Sequence, residues 1–97
     1  SGPAYVFLLI EEFTRAARAM GFDDGVARLM AEQTFIGATR LLEGSGDDPE
    51  ELRRRVTSPK GTTERAVSVL QEAELDALFT RAAEAALARA RELAAGN

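Results

Sequence analysis

Ninety-seven residues make one small domain (residues 1–97). A chain of this length buries somewhat over ~60% of its unfolded surface, so its own core is modest. Twelve Lys and Arg against sixteen Asp and Glu leave a net charge of −4, which argues against nucleic acid as the main partner because phosphate neutralisation needs a basic face. With no Cys and no His, the chain has no disulfide, no thiolate nucleophile, no zinc site of the usual type and no His general base.

The first helix is predicted over Pro3 to Met20. Ser1 or Gly2 caps it, Pro3 suits the first turn and Gly21 ends it. Its first half, Tyr5-Val6-Phe7-Leu8-Leu9-Ile10, is apolar on every side, and such a helix must be covered on every side. A chain this small can hardly do that alone, so a partner chain is expected; the alternative is the central helix of a monomeric bundle. The run is far short of the ~18 residues that span a bilayer. No basic segment precedes it as in a signal peptide. A soluble, cytoplasmic protein is expected and, since the chain lacks an initiator Met, a fragment of a longer one.

A second helix is predicted over Asp24 to Glu43, with Asp23 as cap and Gly44 just past its end. Val26, Leu29, Met30, Gln33, Phe35, Ile36 and Leu41 carry its apolar face. Gly37 costs roughly 1 kcal/mol against Ala inside a helix, and close approach of another helix beside Ala38 is its expected reason. After a loop from Gly44 to Asp47, Asp48-Pro49-Glu50-Glu51 is a start signal for a short third helix ending near Val56. The four acids around Pro49 read as first-turn and capping residues rather than a metal or general-acid cluster. Arg53, Arg54 and Arg55 read as the matching basic last turn.

The stretch Val56-Thr57-Ser58-Pro59-Lys60-Gly61-Thr62-Thr63 is a tight polar loop running into a fourth helix, predicted from Thr62 or Thr63 to Glu72. Unpartnered N–H groups and the helix dipole at such a junction favour a carboxylate or a phosphate. Pro59 stiffens the entry, Gly61 lets a ligand come close to the backbone, and the hydroxyls add donors. The same loop also reads as an ordinary Ser/Thr-capped helix start. Val67 and Leu70, with Ala66 beside them, are the expected anchors of the fourth helix. The fifth is predicted over Glu74 to Ala95: Leu75, Leu78, Phe79, Ala82, Ala86, Ala90 and Leu93 recur at three- and four-residue steps, the clearest amphipathic stripe in the chain. Gly96-Asn97 is expected to fray. The fold class is all-α, a bundle of about five helices intertwined through a homodimer interface.

The opening Ser1-Gly2-Pro3-Ala4-Tyr5-Val6-Phe7, Gln33-Thr34 to Gly37-Ala38 in mid-helix, the Pro49 helix start, the loop Thr57-Ser58-Pro59-Lys60-Gly61-Thr62-Thr63 and Arg91-Glu92-Leu93 occur in an order and spacing that resembles the C-terminal domain of pyrroline-5-carboxylate reductase. The resemblance covers essentially the whole chain. The opening and the loop are its specific parts; one departure is Lys60, where the family usually has Gly. The resemblance implies an NADPH-dependent (or NADH-dependent) reduction of 1-pyrroline-5-carboxylate to L-proline, the last step of proline biosynthesis. It implies that the substrate carboxylate sits on the loop, held by Ser58 and the backbone N–H groups of Gly61 and Thr62, and that the Thr63 hydroxyl faces the ring nitrogen, making Thr63 the catalytic candidate. It also implies a homodimer whose dimers can join into larger rings.

No Gly-rich βαβ fingerprint is present; the resemblance implies a nucleotide-binding N-terminal domain preceding this one and absent from this chain, and the 97 residues alone are expected to be inactive. Two other readings stay open: a non-catalytic helical dimerisation module of the same fold, and the helical domain of another imine or hydroxyacid reductase.

Overall fold

A computed structural model of the chain describes residues 1–96 and contains five helices: α1 (Gly2–Ala19), α2 (Asp24–Ser45), α3 (Pro49–Arg55), α4 (Thr62–Glu72) and α5 (Leu75–Ala94). Among the described residues there is no strand, so the all-α expectation holds. Asn97, part of the expected frayed end, lies outside the described residues. The chain divides into two compact units, Ser1–Leu52 and Arg53–Asn97.

In the first unit α1 and α2 form an antiparallel-type hairpin closed by a short turn. Ser1 is the N-cap of α1, and its carbonyl accepts the amides of Ala4 at 3.0 Å and Tyr5 at 3.3 Å. At the other end Gly21 takes φ 104°. Its N–H donates to the Arg18 carbonyl at 2.9 Å, while that of Phe22 reaches back to Ala17 at 3.2 Å. Together these two bonds make the Schellman stop that a glycine just past a helix end permits. Asp23 occupies the N-cap position of α2 without a side-chain cap bond. Its neighbour Asp24 instead pairs with Arg18 of α1 at 3.0 Å.

Packing between α1 and α2 uses small residues. Ala27 (0% exposed) and Ala31 (4%), one turn apart on α2, are the buried apolar residues. Thr14 of α1 is buried beside them in rank, and its hydroxyl donates to the Ile10 carbonyl at 2.8 Å, which satisfies a polar group that burial would otherwise penalise. Phe13 and Phe35 meet edge to face, with ring centroids 4.9 Å apart and planes at 74°. Such a pair adds about 0.5–1.5 kcal/mol beyond its area.

One expectation for α2 needs correction. The helix does not stop before Gly44 but runs through it to Ser45, and the left-handed stop is Gly46 at φ 71°. Both glycines could serve; the second takes the turn, and the Asp47 amide donates to the Ser45 hydroxyl at 3.1 Å beyond it. Gly37 has nothing within 4 Å of where a Cβ would stand among the described residues of this chain.

The apolar run of α1 is only partly covered. Tyr5, Leu9 and Ile10 are half-buried, whereas Val6, Phe7 (65% exposed) and Leu8 remain exposed. In the second unit no described residue is buried: Val67 is half-buried, while Ala66, Leu70 and every residue of α5, its stripe included, are exposed. No helix among the described residues is long and apolar enough to cross a membrane.

Candidate functional site

The loop expected to bind an anion is built from both of its flanks. α3 ends in Arg53-Arg54-Arg55, a basic last turn that complements the helix dipole. Thr57 turns its hydroxyl back onto the Arg53 carbonyl at 2.5 Å, and its amide donates to Arg54 at 3.2 Å. That hydroxyl therefore ties down the end of α3 and makes its bond inside the loop.

Ser58-Pro59-Lys60-Gly61 then forms a β-turn closed by the Gly61 N–H, which donates to the Ser58 carbonyl at 3.0 Å. Pro at the second position and positive φ at the third give the type II pattern. The third residue is Lys60, at φ 62°. A side chain in that region carries a cost that glycine avoids, and Lys60 bears it.

Gly61 has extended backbone, φ −85° and ψ 179°, and serves as the N-cap of α4. Its φ does not require glycine. Its space is tight: a Cβ there would lie 3.1 Å from the Ser58 carbonyl oxygen and 3.4 Å from the Ser58 Cβ. Since the cap carries no side chain, α4 begins without a side-chain cap bond, and the amides of Thr62 and Thr63 head the helix without the intrahelical acceptors that later residues have. Ser58, Thr62 and Thr63 are exposed, and Gly61 is half-buried. Thus the structure places Ser58, Gly61, Thr62 and Thr63 on one turn and the first turn of one helix. It also commits the Gly61 N–H to Ser58, leaving Thr62 and Thr63 as the outward amides.

A concavity described in this unit is a different surface. A cleft of about 310 Å³ lies between the end of α3 (Arg53, Arg54), Thr57 and Pro59, and the α4 side chains Val67 and Gln71. None of Ser58, Gly61, Thr62 or Thr63 lines it. Arg53, Arg54, Pro59 and Val67 are each expected in structural roles, but not together at a cleft; the Thr57 hydroxyl, bonded to the Arg53 carbonyl, lies on its wall. Among the described residues no cluster of three carboxylates, histidines or cysteines could hold a metal ion. What remains is a set of hydroxyls and amides at a helix start, flanked by the charged Lys60 in the turn and Glu64 in the first turn of α4.

Comparison with known proteins gives this arrangement a family. Residues 1–93 match the family model for pyrroline-5-carboxylate reductase dimerisation, and the chain belongs to that family. It is 45% identical over 94 residues to the pyrroline-5-carboxylate reductase of Pseudomonas aeruginosa, covering 97% of this chain and 34% of the relative. It is 40% identical over 93 residues to pyrroline-5-carboxylate reductase 2 of Bacillus subtilis, again covering 34% of the relative's length.

Among solved structures it superposes on a pyrroline-5-carboxylate reductase from Coxiella burnetii with a TM-score of 0.91 at 45% identity, covering 96% of this chain and 34% of that one. With the pyrroline carboxylate reductase of Plasmodium falciparum, solved with NADP bound, the TM-score is 0.81 at 27% identity, covering 87% of this chain and 32% of that one. The chain spans about a third of the length of the curated relatives it matches.

Proposed function

We propose that this chain is the dimerising and substrate-holding part of an NADPH-dependent (or NADH-dependent) reductase that converts 1-pyrroline-5-carboxylate to L-proline. The observation that carries the reading is the family match over residues 1–93, with the Ser58–Thr63 turn intact within it. In this reading a homodimer forms through the helices, dimers can assemble further, and the setting is cytoplasmic.

The substrate is a cyclic imine bearing a carboxylate. The carboxylate rests at the start of α4, on the Ser58 hydroxyl and the Thr62 amide. Gly61 contributes a backbone narrow enough to let it approach, and its own N–H can serve the ligand only if the Ser58 carbonyl shares it. The Thr63 hydroxyl faces the ring nitrogen and fixes the ring's orientation, the part of catalysis that positioning supplies. The nicotinamide provides the hydride when bound. The described residues have no strand and so no βαβ cradle for a dinucleotide. The reading accordingly places the nucleotide on sequence outside this chain, and no residue here is assigned to it.

The test is reconstitution. The isolated chain should show no imine-dependent oxidation of NADPH, and joining it behind the nucleotide-binding portion of the Pseudomonas relative should give turnover. Turnover by the isolated chain would refute the division of labour. A well-folded chimera that binds nucleotide and stays inactive would favour the non-catalytic dimerisation module.

A further inference from the structure

We propose that Lys60 is a specificity-determining residue of the substrate turn: its ammonium supplies the positive charge that draws a carboxylate-bearing ligand onto the head of α4. The inference deepens the reductase reading and takes its ligand from it. The place, the strain and the charge of Lys60 are properties of the chain itself.

Three observations carry it. The first is place. Lys60 is the third residue of the turn closed between Ser58 and Gly61. Thr62, two residues on, opens α4 with its amide turned outward. Successive Cα atoms are ~3.8 Å apart, so the Cα atoms of Lys60 and Thr62 lie less than ~8 Å from each other. A four-carbon stem ending in an ammonium reaches across that span.

The second is cost. Lys60 holds φ 62°, a region that Gly, Asn and Asp visit and other residues rarely do. Lys60 is exposed, and among the described residues it makes no ion pair or hydrogen bond. No polar contact within the chain offsets the strain. A backbone outlier of this kind, beside a site, points to a function for the side chain.

The third is charge. Arg53 and Arg54 line the elbow cleft together with Glu64, and Lys60 does not. The groups assigned to the carboxylate, the Ser58 hydroxyl and the Thr62 amide, are neutral. The chain as a whole carries a net charge of −4, which repels an anion. A lysine in the turn reverses that sign locally.

The kinetic signature follows from the ligand. Its carboxylate stays ionised while the imine is reduced. Attraction to Lys60 is therefore equal in the bound substrate and in the transition state, and such uniform binding lowers KM without raising kcat.

The test uses the full-length reductase carrying this chain. Lys60→Met should raise KM for the imine about three- to tenfold and leave kcat within about twofold. Lys60→Arg keeps the charge and should stay near wild type. Lys60→Gly should match Lys60→Met in KM yet melt higher than wild type, since it also releases the strain. The wild-type KM should climb with salt and meet that of Lys60→Met near about 1 M, where screening acts beyond about 3 Å. Equilibrium titration of the same proteins with L-proline and L-prolinamide adds a readout apart from turnover. Lys60→Met should lose about three- to tenfold in affinity for L-proline and little for the uncharged amide.

An unchanged KM in Lys60→Met at low salt, or equal affinity of Lys60→Met and wild type for L-proline, would overturn the role of Lys60. The reductase reading fails differently: the wild type would then not turn over the imine, whatever stands at position 60, and the L-proline titration would still decide whether Lys60 attracts a carboxylate.

Discussion

Ser58 and Gly61 hold each other at the limit of contact. The Gly61 amide donates to the Ser58 carbonyl at 3.0 Å, and a Cβ on Gly61 would stand 3.1 Å from that same oxygen. The obstructing atom belongs to the backbone of a closed turn, so it cannot swing aside as a side-chain tip could. Gly61→Ala should therefore open the turn by a few tenths of an ångström and lower stability by roughly 1 kcal/mol, read as a lower denaturation midpoint at fixed protein concentration. An unchanged midpoint would mean that the turn gives way freely.

Lys60 presents the opposite case. It sits at φ 62°, where an L-residue pays roughly 1–2 kcal/mol, while glycine there pays only its larger loss of chain entropy, about 0.5–1 kcal/mol. The difference favours glycine: Lys60→Gly should raise stability by about 0.5–1 kcal/mol. A loss of stability in denaturant titrations would show that the lysine side chain contributes more than its backbone costs.

The α1–α2 hairpin depends on small residues. Ala27 has no exposed surface, so Ala27→Leu has nowhere to put three extra carbons and should destabilise by about 1–3 kcal/mol. Phe35→Ala removes one ring of the Phe13–Phe35 pair. Phe35 is only half-buried, so its cost should fall below the ~3–5 kcal/mol of a full core aromatic. The check is equilibrium unfolding of both variants; equal stability of Ala27→Leu and wild type would show that α1 and α2 are not held as close as described.

Local rules are strong enough to make the helix ends legible. Pro3, Gly21, Asp48-Pro49 and the polar loop before Thr62 each act within one turn, and four of the five helices begin and end within one residue of expectation. The exception, at Gly44-Ser45-Gly46, offers two glycines of equal local merit, and only the observed backbone separates them. Gly37 is a different case: its expected partner is a contact between elements, and no atom of the described chain lies within 4 Å of where its Cβ would stand. The stripe of α5 was legible as a stripe, since pattern reports that a face is apolar, while the residues that would cover it depend on contacts that pattern does not encode. At the site, residue types revealed the turn and its glycine. The capture of the Thr57 hydroxyl by Arg53 and of the Gly61 amide by Ser58 depends on distances that composition does not encode.

Thr63 gives the sharpest test of the proposed site. Its hydroxyl stands in the first turn of α4, where it could serve the helix or a ligand. The structure weakens the first role: the N-cap is Gly61 and the helix start has no side-chain cap bond. Removing the hydroxyl should therefore spare stability. Thr63→Ala also replaces a β-branched residue with a better helix former, so its stability should stay within about ±0.5 kcal/mol of wild type, whereas loss of a true cap would cost ~0.5–2 kcal/mol.

Activity should respond differently. In a full-length enzyme carrying this chain, Thr63→Ala should lower kcat/KM by about tenfold or more, equivalent to about 1.4 kcal/mol of transition-state binding. Thr63→Ser, which keeps the hydroxyl, should retain much of the rate. Thr63→Val keeps the branched shape without the oxygen and should fall with Thr63→Ala, separating the hydroxyl from simple space filling. Kinetics measured below saturating imine, beside thermal melts of the same four proteins, decide the role. An unchanged kcat/KM in Thr63→Ala and Thr63→Val would remove Thr63 from the site and leave the carboxylate to Ser58 and the amides at the head of α4.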